Sequence, residues 1–292
     1  MPLDPALVGH ETRPETDTIS AEAVRQFADA IGDDSAIYRD PEAARAAGFA
    51  IIPAPPTYVT RFLVPFAEAG LDTEHAQVLH GEQEYVYERL VGVGETLVVR
   101  YRIASIRQAR GTALMTIEQL CDTPDGARAI TGRAMLIVRD ITPGETATAG
   151  AATANRPTKE PAGEPLPTLS KTVTQAQIDA YAEVSGDHNP IHVNPAVARA
   201  VGLDGTIAHG MLSMAFVGQV LTGWLSAEPG RGHLGRLRVR FQAMVRPGDT
   251  LTCRGALRPA SDEPGKPRMA DVWIENQRGE RVLTGDADIV AG

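Results

Sequence analysis

Residues 24–48, VRQFADAIGDDSAIYRDPEAARAAG, and residues 178–202, IDAYAEVSGDHNPIHVNPAVARAVG, follow one pattern without a gap. Asp33 aligns with Asp187, Pro41 with Pro195 and Gly48 with Gly202, each 154 positions apart. GVGETL at 92–97 matches RPGDTL at 246–251 at the same offset. One register held over this length marks a duplicated structural unit, so the chain has to fold as two copies of one topology. The stretch between the copies is rich in Ala, Thr, Gly and Pro and has no apolar period, which reads as a linker. The expected organisation is a first unit over 1–142, a linker over 143–165 and a second unit over 166–292.

Both copies present elements in the same order. Thr174 and Gln177 form a T-x-x-Q capping box, and Ile178, Tyr181 and Ala182 follow with helical spacing. The first copy repeats this stripe with Val24, Phe27, Ala28 and Ile31. An apolar helix is expected over about Met211–Leu225, then four strand-like runs, one of which alternates Leu237, Val239 and Phe241 with Arg236, Arg238 and Arg240. A long helix followed by a meander of strands predicts an α+β unit, the helix lying on one face of an antiparallel sheet. Two such units are expected side by side.

Composition removes several function classes. The net charge of -9 argues against a general nucleic-acid binder. The apolar run 207–225 is interrupted by His209, Ser213 and Gln219, which suits a buried helix better than a membrane span. No basic-then-apolar leader opens the sequence. The two cysteines, Cys121 and Cys253, show neither disulfide nor metal spacing. A cytoplasmic location is the expectation from these features, with no membrane or nucleic-acid partner.

The chemistry concentrates in SGDHNPIHVNPAVARAVGLDGTIAHGMLSM, residues 185–214. Pro190 and Pro195 predict a turn or irregular loop from Asp187 to His192. An Asp and a His on such a loop can share one water, the carboxylate taking a proton and the imidazole handling a second transfer. Asn189 is placed to orient either group. His209-Gly210 precedes the apolar helix, and a glycine N–H at a helix start suits a developing oxyanion. His188 and His192 have i, i+4 spacing, but Pro190 lies between them, so no metal site is expected.

DHNPIH followed by AHGM resembles the MaoC-like, (R)-specific enoyl-CoA hydratases, whose pattern is D-x-N-P-x-H, a short gap, then HGM. The resemblance runs from about Thr174 to Leu251. The first half looks like the degenerate hotdog unit that accompanies such domains in fatty-acid-type dehydratases. The resemblance implies a double hotdog fold and reversible hydration of a trans-2-enoyl thioester, carried on coenzyme A or acyl carrier protein, to an (R)-3-hydroxyacyl thioester. It implies that Asp187 and His192 hold the water, that Asn189 supports them, and that the Gly210 N–H faces the thioester oxygen. No cofactor is implied, and a homodimer is the expected assembly. The family's helix serine is replaced by Gly218 here. His209, Arg236, Arg238 and Arg240 are candidate substrate contacts, the arginines for coenzyme A phosphates. An acyl thioesterase and a non-catalytic acyl-binding subunit are the competing readings.

The first half fails the same test by position. Tyr38 stands against His192, Ser35 against Asn189 and Pro56 against Gly210. A tyrosine is a poor proton acceptor near neutral pH, and proline has no N–H. This half is expected to shape the acyl tunnel while the other half reacts.

Overall fold

The computed structural model describes residues 3–71, 76–109, 112–140, 163–260, 263 and 265–291. The first half contains β1 (Glu15–Thr18), α1 (Ala21–Ala30), α2 (Pro41–Ala46), β2 (Ala76–Tyr87), β3 (Thr96–Ala109), β4 (Thr112–Asp122) and β5 (Arg128–Asp140). The second contains β6 (Glu164–Pro165), β7 (Leu169–Thr172), α3 (Gln175–Ser185), α4 (Pro190–Val193), α5 (Pro195–Ala200), α6 (Gly210–Ser226), β8 (His233–Phe241), β9 (Thr250–Leu257), β10 (Arg268–Asn276) and β11 (Arg281–Val290). The 154-residue register survives in the backbone. Gly32 and Gly186 both take positive φ (66° and 74°), as do Gly48 and Gly202 (92° and 85°). Each pair ends a helix in a conformation that side chains with a Cβ resist.

The strands form one antiparallel sheet in the order β1-β3-β4-β5-β2-β8-β11-β10-β9-β6, with β7 also on β9. The halves join edge to edge through β2 and β8, where Glu82 faces Arg240 and Glu84 faces Arg238. This pairing removes one edge from each half-sheet. Along β8, Leu237 and Val239 are buried toward the helix, so Arg236, Arg238 and Arg240 project from the opposite face. Arg236 pairs with Glu84, Asp286 and Asp288. Arg238 (2.9 Å) and Arg240 both pair with Glu82. The expectation that these arginines meet coenzyme A phosphates is thereby corrected: they stitch the seam between the halves on the face away from α6. The sequence hid this because their acidic partners come from other strands.

One contiguous core crosses the seam, joining Val24, Phe27 and Tyr85 of the first half to Tyr181, Leu212 and Leu237 of the second. The chain belongs to the double-hotdog class of α+β folds, with one departure from the expected units. Among its described residues the first half has no counterpart of α6. Its equivalent stretch forms a single 3-10 turn, Tyr58–Arg61, then an irregular segment that ends in a hydrogen-bonded turn over 66–70. Pro53, Pro55, Pro56 and Pro65 explain this, since proline removes helix hydrogen bonds and restricts the residue before it. The linker expected over 143–165 lies, up to residue 162, outside the described residues. Its last two positions are instead strand β6, paired to Leu257 and Ala256. Among the described residues no helix is long and apolar enough to cross a membrane. Cys121 and Cys253 are free and buried, and burial pushes both thiols up to about 12.

The first half's version of the reactive loop is closed off. Asp33 Oδ1 accepts from the Ser35 N–H at 3.0 Å, and Tyr38 is buried. Three side chains of the second half reach the carbonyls ending α1: Gln177 Nε2 to Ala30 (3.3 Å), Gln219 Nε2 to Ile31 (2.7 Å) and Lys171 Nζ to Gly32. Those carbonyls have no intrahelical donors, so the contacts stabilise the helix end and fill the pseudo-equivalent site at once.

Candidate active site

Thr174 Oγ1 accepts from the Gln177 N–H at 3.1 Å and opens α3. Gly186 ends it in a left-handed conformation and turns the chain into the Asp187 loop. Ser185 Oγ accepts from the Asp187 N–H (3.2 Å), and Asp187 Oδ1 accepts from the Asn189 N–H (3.2 Å). The expected irregular loop is partly helical. Pro190 is the first residue of α4, a position where its missing N–H costs nothing. Asn189 caps that turn, Oδ1 accepting from the Ile191 N–H at 3.3 Å. Asn189 therefore acts through the backbone, presenting His192 within the turn.

His192 is buried, and its Nδ1 lies 2.8 Å from the Ile207 carbonyl. A carbonyl only accepts, so Nδ1 carries the proton and Nε2 keeps its lone pair. Burial holds this imidazole below its ordinary value, against the opposing pull of Asp187. His209 lies behind it, the rings stacked at 3.8 Å between centroids with 30° between planes. His209 Nε2 donates to the Asp187 backbone carbonyl at 2.9 Å, so this residue fastens the reactive loop to the start of α6. Burial, with His192 alongside, holds His209 below its ordinary value too.

Gly210 is the first residue of α6, where backbone N–H groups lack helical acceptors. A Cβ there would lie 3.1–3.3 Å from the Phe241 ring. Phe241 packs edge-to-face with His80 of β2 at 5.3 Å. The position expected to carry the family serine, Gly218, faces Pro56 of the first half, 3.7 Å from where a Cβ would sit.

Asp187, His192 and His209 each bring one potential metal-ligand atom within 4.8 Å of the others. His188, the residue with suggestive spacing, is exposed beside Glu183. The near-parallel imidazoles of His192 and His209 argue against a shared ion, because in-plane lone pairs on stacked rings do not converge on one centre. The set is better suited to water and protons.

Asp187 opens onto a cavity of about 120 Å³. Its walls come mainly from the first half: Phe62, Leu63, Val64 and Phe66 of the bent segment, and Tyr85, Gln119, Gly132 and Ala134 of the sheet. The space lies on the part of the first-half sheet left uncovered by the missing helix. His80 is the site-facing residue that sequence reading missed. A β-bulge between His80 and Glu82 breaks the alternation and turns both His80 and Gln83 toward the cavity. Only an odd glycine within a strand run, Gly81, hinted at it.

These buried imidazoles predict acid-sensitive stability. Burial pushes His80 down to about 4 and lowers His192 and His209 as well. An unfolded histidine binds a proton below about pH 6.5, whereas the folded protein resists doing so. Stability should be level above that pH and fall as pH drops from about 6.5 toward about 4. Thermal melts across this range check it; a midpoint that stays constant down to pH 4 contradicts it.

Comparisons with known proteins bear on the fold and on the two halves of the chain. A profile described as a MaoC like domain matches residues 157–262, and one described as a FAS1-like dehydratase domain region matches residues 6–131. A protein of Streptomyces avermitilis named only as UPF0336 is 35% identical over 148 residues, spanning 48% of this chain and 97% of its own. A solved MaoC-like dehydratase superposes with a TM-score of 0.81 at 23% identity, covering 98% of this chain and 99% of its own. A Mycobacterium tuberculosis protein described as having a double hotdog fold superposes at 0.69 and 14% identity, over 98% of this chain and 96% of its own. At those identities the superpositions speak for the fold alone. The second half of the chain thus carries a MaoC like domain, and the first half a FAS1-like dehydratase domain region.

Proposed function

We propose that the protein catalyses reversible addition of water to a trans-2-enoyl thioester, giving the (R)-3-hydroxyacyl thioester. The observation that carries this reading is the pairing of Asp187 with His192, whose Nε2 lone pair is left available by the Nδ1 bond to Ile207. A water between them donates one O–H to each. As its oxygen bonds to C3, one of the two bases takes the released proton and returns it to C2. Negative charge that builds on the thioester oxygen is met by the Gly210 N–H. The reaction balances without a redox partner, since the thioester acidifies C2. The first-half cavity receives the acyl chain, and its volume is somewhat below the ~150 Å³ that admits benzene in an engineered protein. This favours short chains. Coenzyme A and acyl carrier protein are the two carriers this reading allows.

The test follows the conjugated enoyl-thioester absorbance on short trans-2-enoyl-CoA substrates, with free thiol measured in parallel. Loss of absorbance without thiol release is the expected result. Thiol release at the same rate would replace this reading with a thioesterase.

A further inference from the structure

In the first-half sheet, Gly132 of β5 stands directly opposite Tyr85 of β2 on one side and Gln119 of β4 on the other. All three line the cavity. The glycine leaves a notch, and both neighbours lean over it. A Cβ at Gly132 would sit 2.8 Å from Tyr85 Cε1 and 3.0 Å from Gln119 Oε1. Gln119 Nε2 donates to the Val59 carbonyl and to the Tyr101 hydroxyl, each at 2.8 Å. The carbonyl of Val59 can only accept, so the amide is held with its oxygen toward the notch. Among the described residues no protein donor reaches Gln119 Oε1, and no protein group bonds the Tyr85 hydroxyl. Yet Tyr85 is 2% and Gln119 6% exposed. The exposure they keep opens onto the cavity, where water can meet both oxygens, whereas an apolar chain filling that space would leave them without partners.

We propose that the row Tyr85–Gly132–Gln119 selects a short acyl chain bearing a hydroxyl group, which donates to Gln119 Oε1 and accepts from the Tyr85 hydroxyl. Burial raises the Tyr85 phenol well above its ordinary value, which keeps it protonated as the donor. A hydroxyl is the group that both accepts and donates at one atom, as this pair requires. The plain alkyl chain leaves both polar groups unpaired, which is the arrangement that discriminates most strongly. The inference rests on the acyl-thioester reading above, and deepens it by naming the substrate class.

Binding of saturated acyl-CoAs tests it apart from turnover, because no saturated chain can be hydrated. Calorimetry compares plain chains of about four to six carbons, the lengths a ~120 Å³ cavity admits, with their terminally hydroxylated counterparts. The wild-type protein should favour a hydroxylated chain about 10- to 100-fold in Kd. Tyr85→Phe, which deletes one oxygen, and Gln119→Leu should each bring that preference close to unity while plain-chain binding holds or improves. Equal wild-type affinity for both classes overturns the proposal and leaves the notch to ordinary water. So does a Tyr85→Phe protein that keeps the full preference, or a failure to bind any of these thioesters. A clear preference with no hydration of enoyl-CoA would sink the hydratase reading and leave this one standing.

Discussion

Asp187→Asn and His192→Ala should each lower kcat for enoyl-thioester hydration about 10²- to 10⁴-fold, the range general acid–base groups supply. The two losses should not add, since the two groups hold one water as a unit and either change disables that unit. Asp187→Asn keeps the shape of the loop: an amide oxygen still accepts from the Asn189 N–H, as Asp187 Oδ1 does now. His192→Gln is the companion variant, keeping a donor for the Ile207 carbonyl that Nδ1 now reaches. It should be as inactive as the alanine variant while melting like the wild type. The pH profile gives an independent reading. Burial is the larger influence on His192 and lowers it, so the lone pair on Nε2 persists through neutral pH. Values of kcat/KM should hold there and decline only on the acid side of about 6.5. Wild-type rates surviving in both variants would remove Asp187 and His192 from the chemistry altogether.

Gly210→Pro should reduce kcat about 10²- to 10³-fold, the usual cost of deleting one oxyanion donor. Proline would normally be too disruptive inside a helix, but two features permit it here. Gly210 is the first residue of α6, and His209 before it is extended (φ -58°, ψ 132°), as a residue preceding proline must be. The first half already carries Pro56 at the matching position. Gly210→Ala is the necessary control, because any Cβ meets the Phe241 ring at 3.1–3.3 Å. That variant keeps the N–H and should show only the smaller loss due to crowding. If alanine and proline prove equally harmful, the backbone N–H has no special part and the glycine serves packing alone. A thermal melt of each variant separates lost chemistry from lost structure.

Much of the candidate site was legible because it is local in sequence. Asp187, Asn189, Pro190 and His192 lie within one turn of chain, where capping and proline chemistry act between near neighbours. His209 was visible, but its task was not, since its hydrogen bond runs back 22 residues to the Asp187 carbonyl. The arginines of β8 were misread for a related reason. Alternation correctly placed them on one face, but Glu82, Glu84, Asp286 and Asp288 reach that face only through strand pairing.

The 154-residue repeat, read from the sequence alone, determined that two similar sheet units would form, and the prolines and glycines within it determined where each unit turns. The D-x-N-P-x-H and HGM spacing singled out the second half as the candidate to hold a reactive water. Tertiary structure alone decided that β2 and β8 would merge the two sheets, and that the bent first-half segment would leave a cavity beside Asp187. It also decided that a bulge would swing His80 inward and that Tyr85 and Gln119 would meet across Gly132. The physical reason is range. Turns, caps and helix breaks are set by neighbours along the chain, whereas a cavity wall is assembled from strands whose register is settled by the packing of the whole sheet.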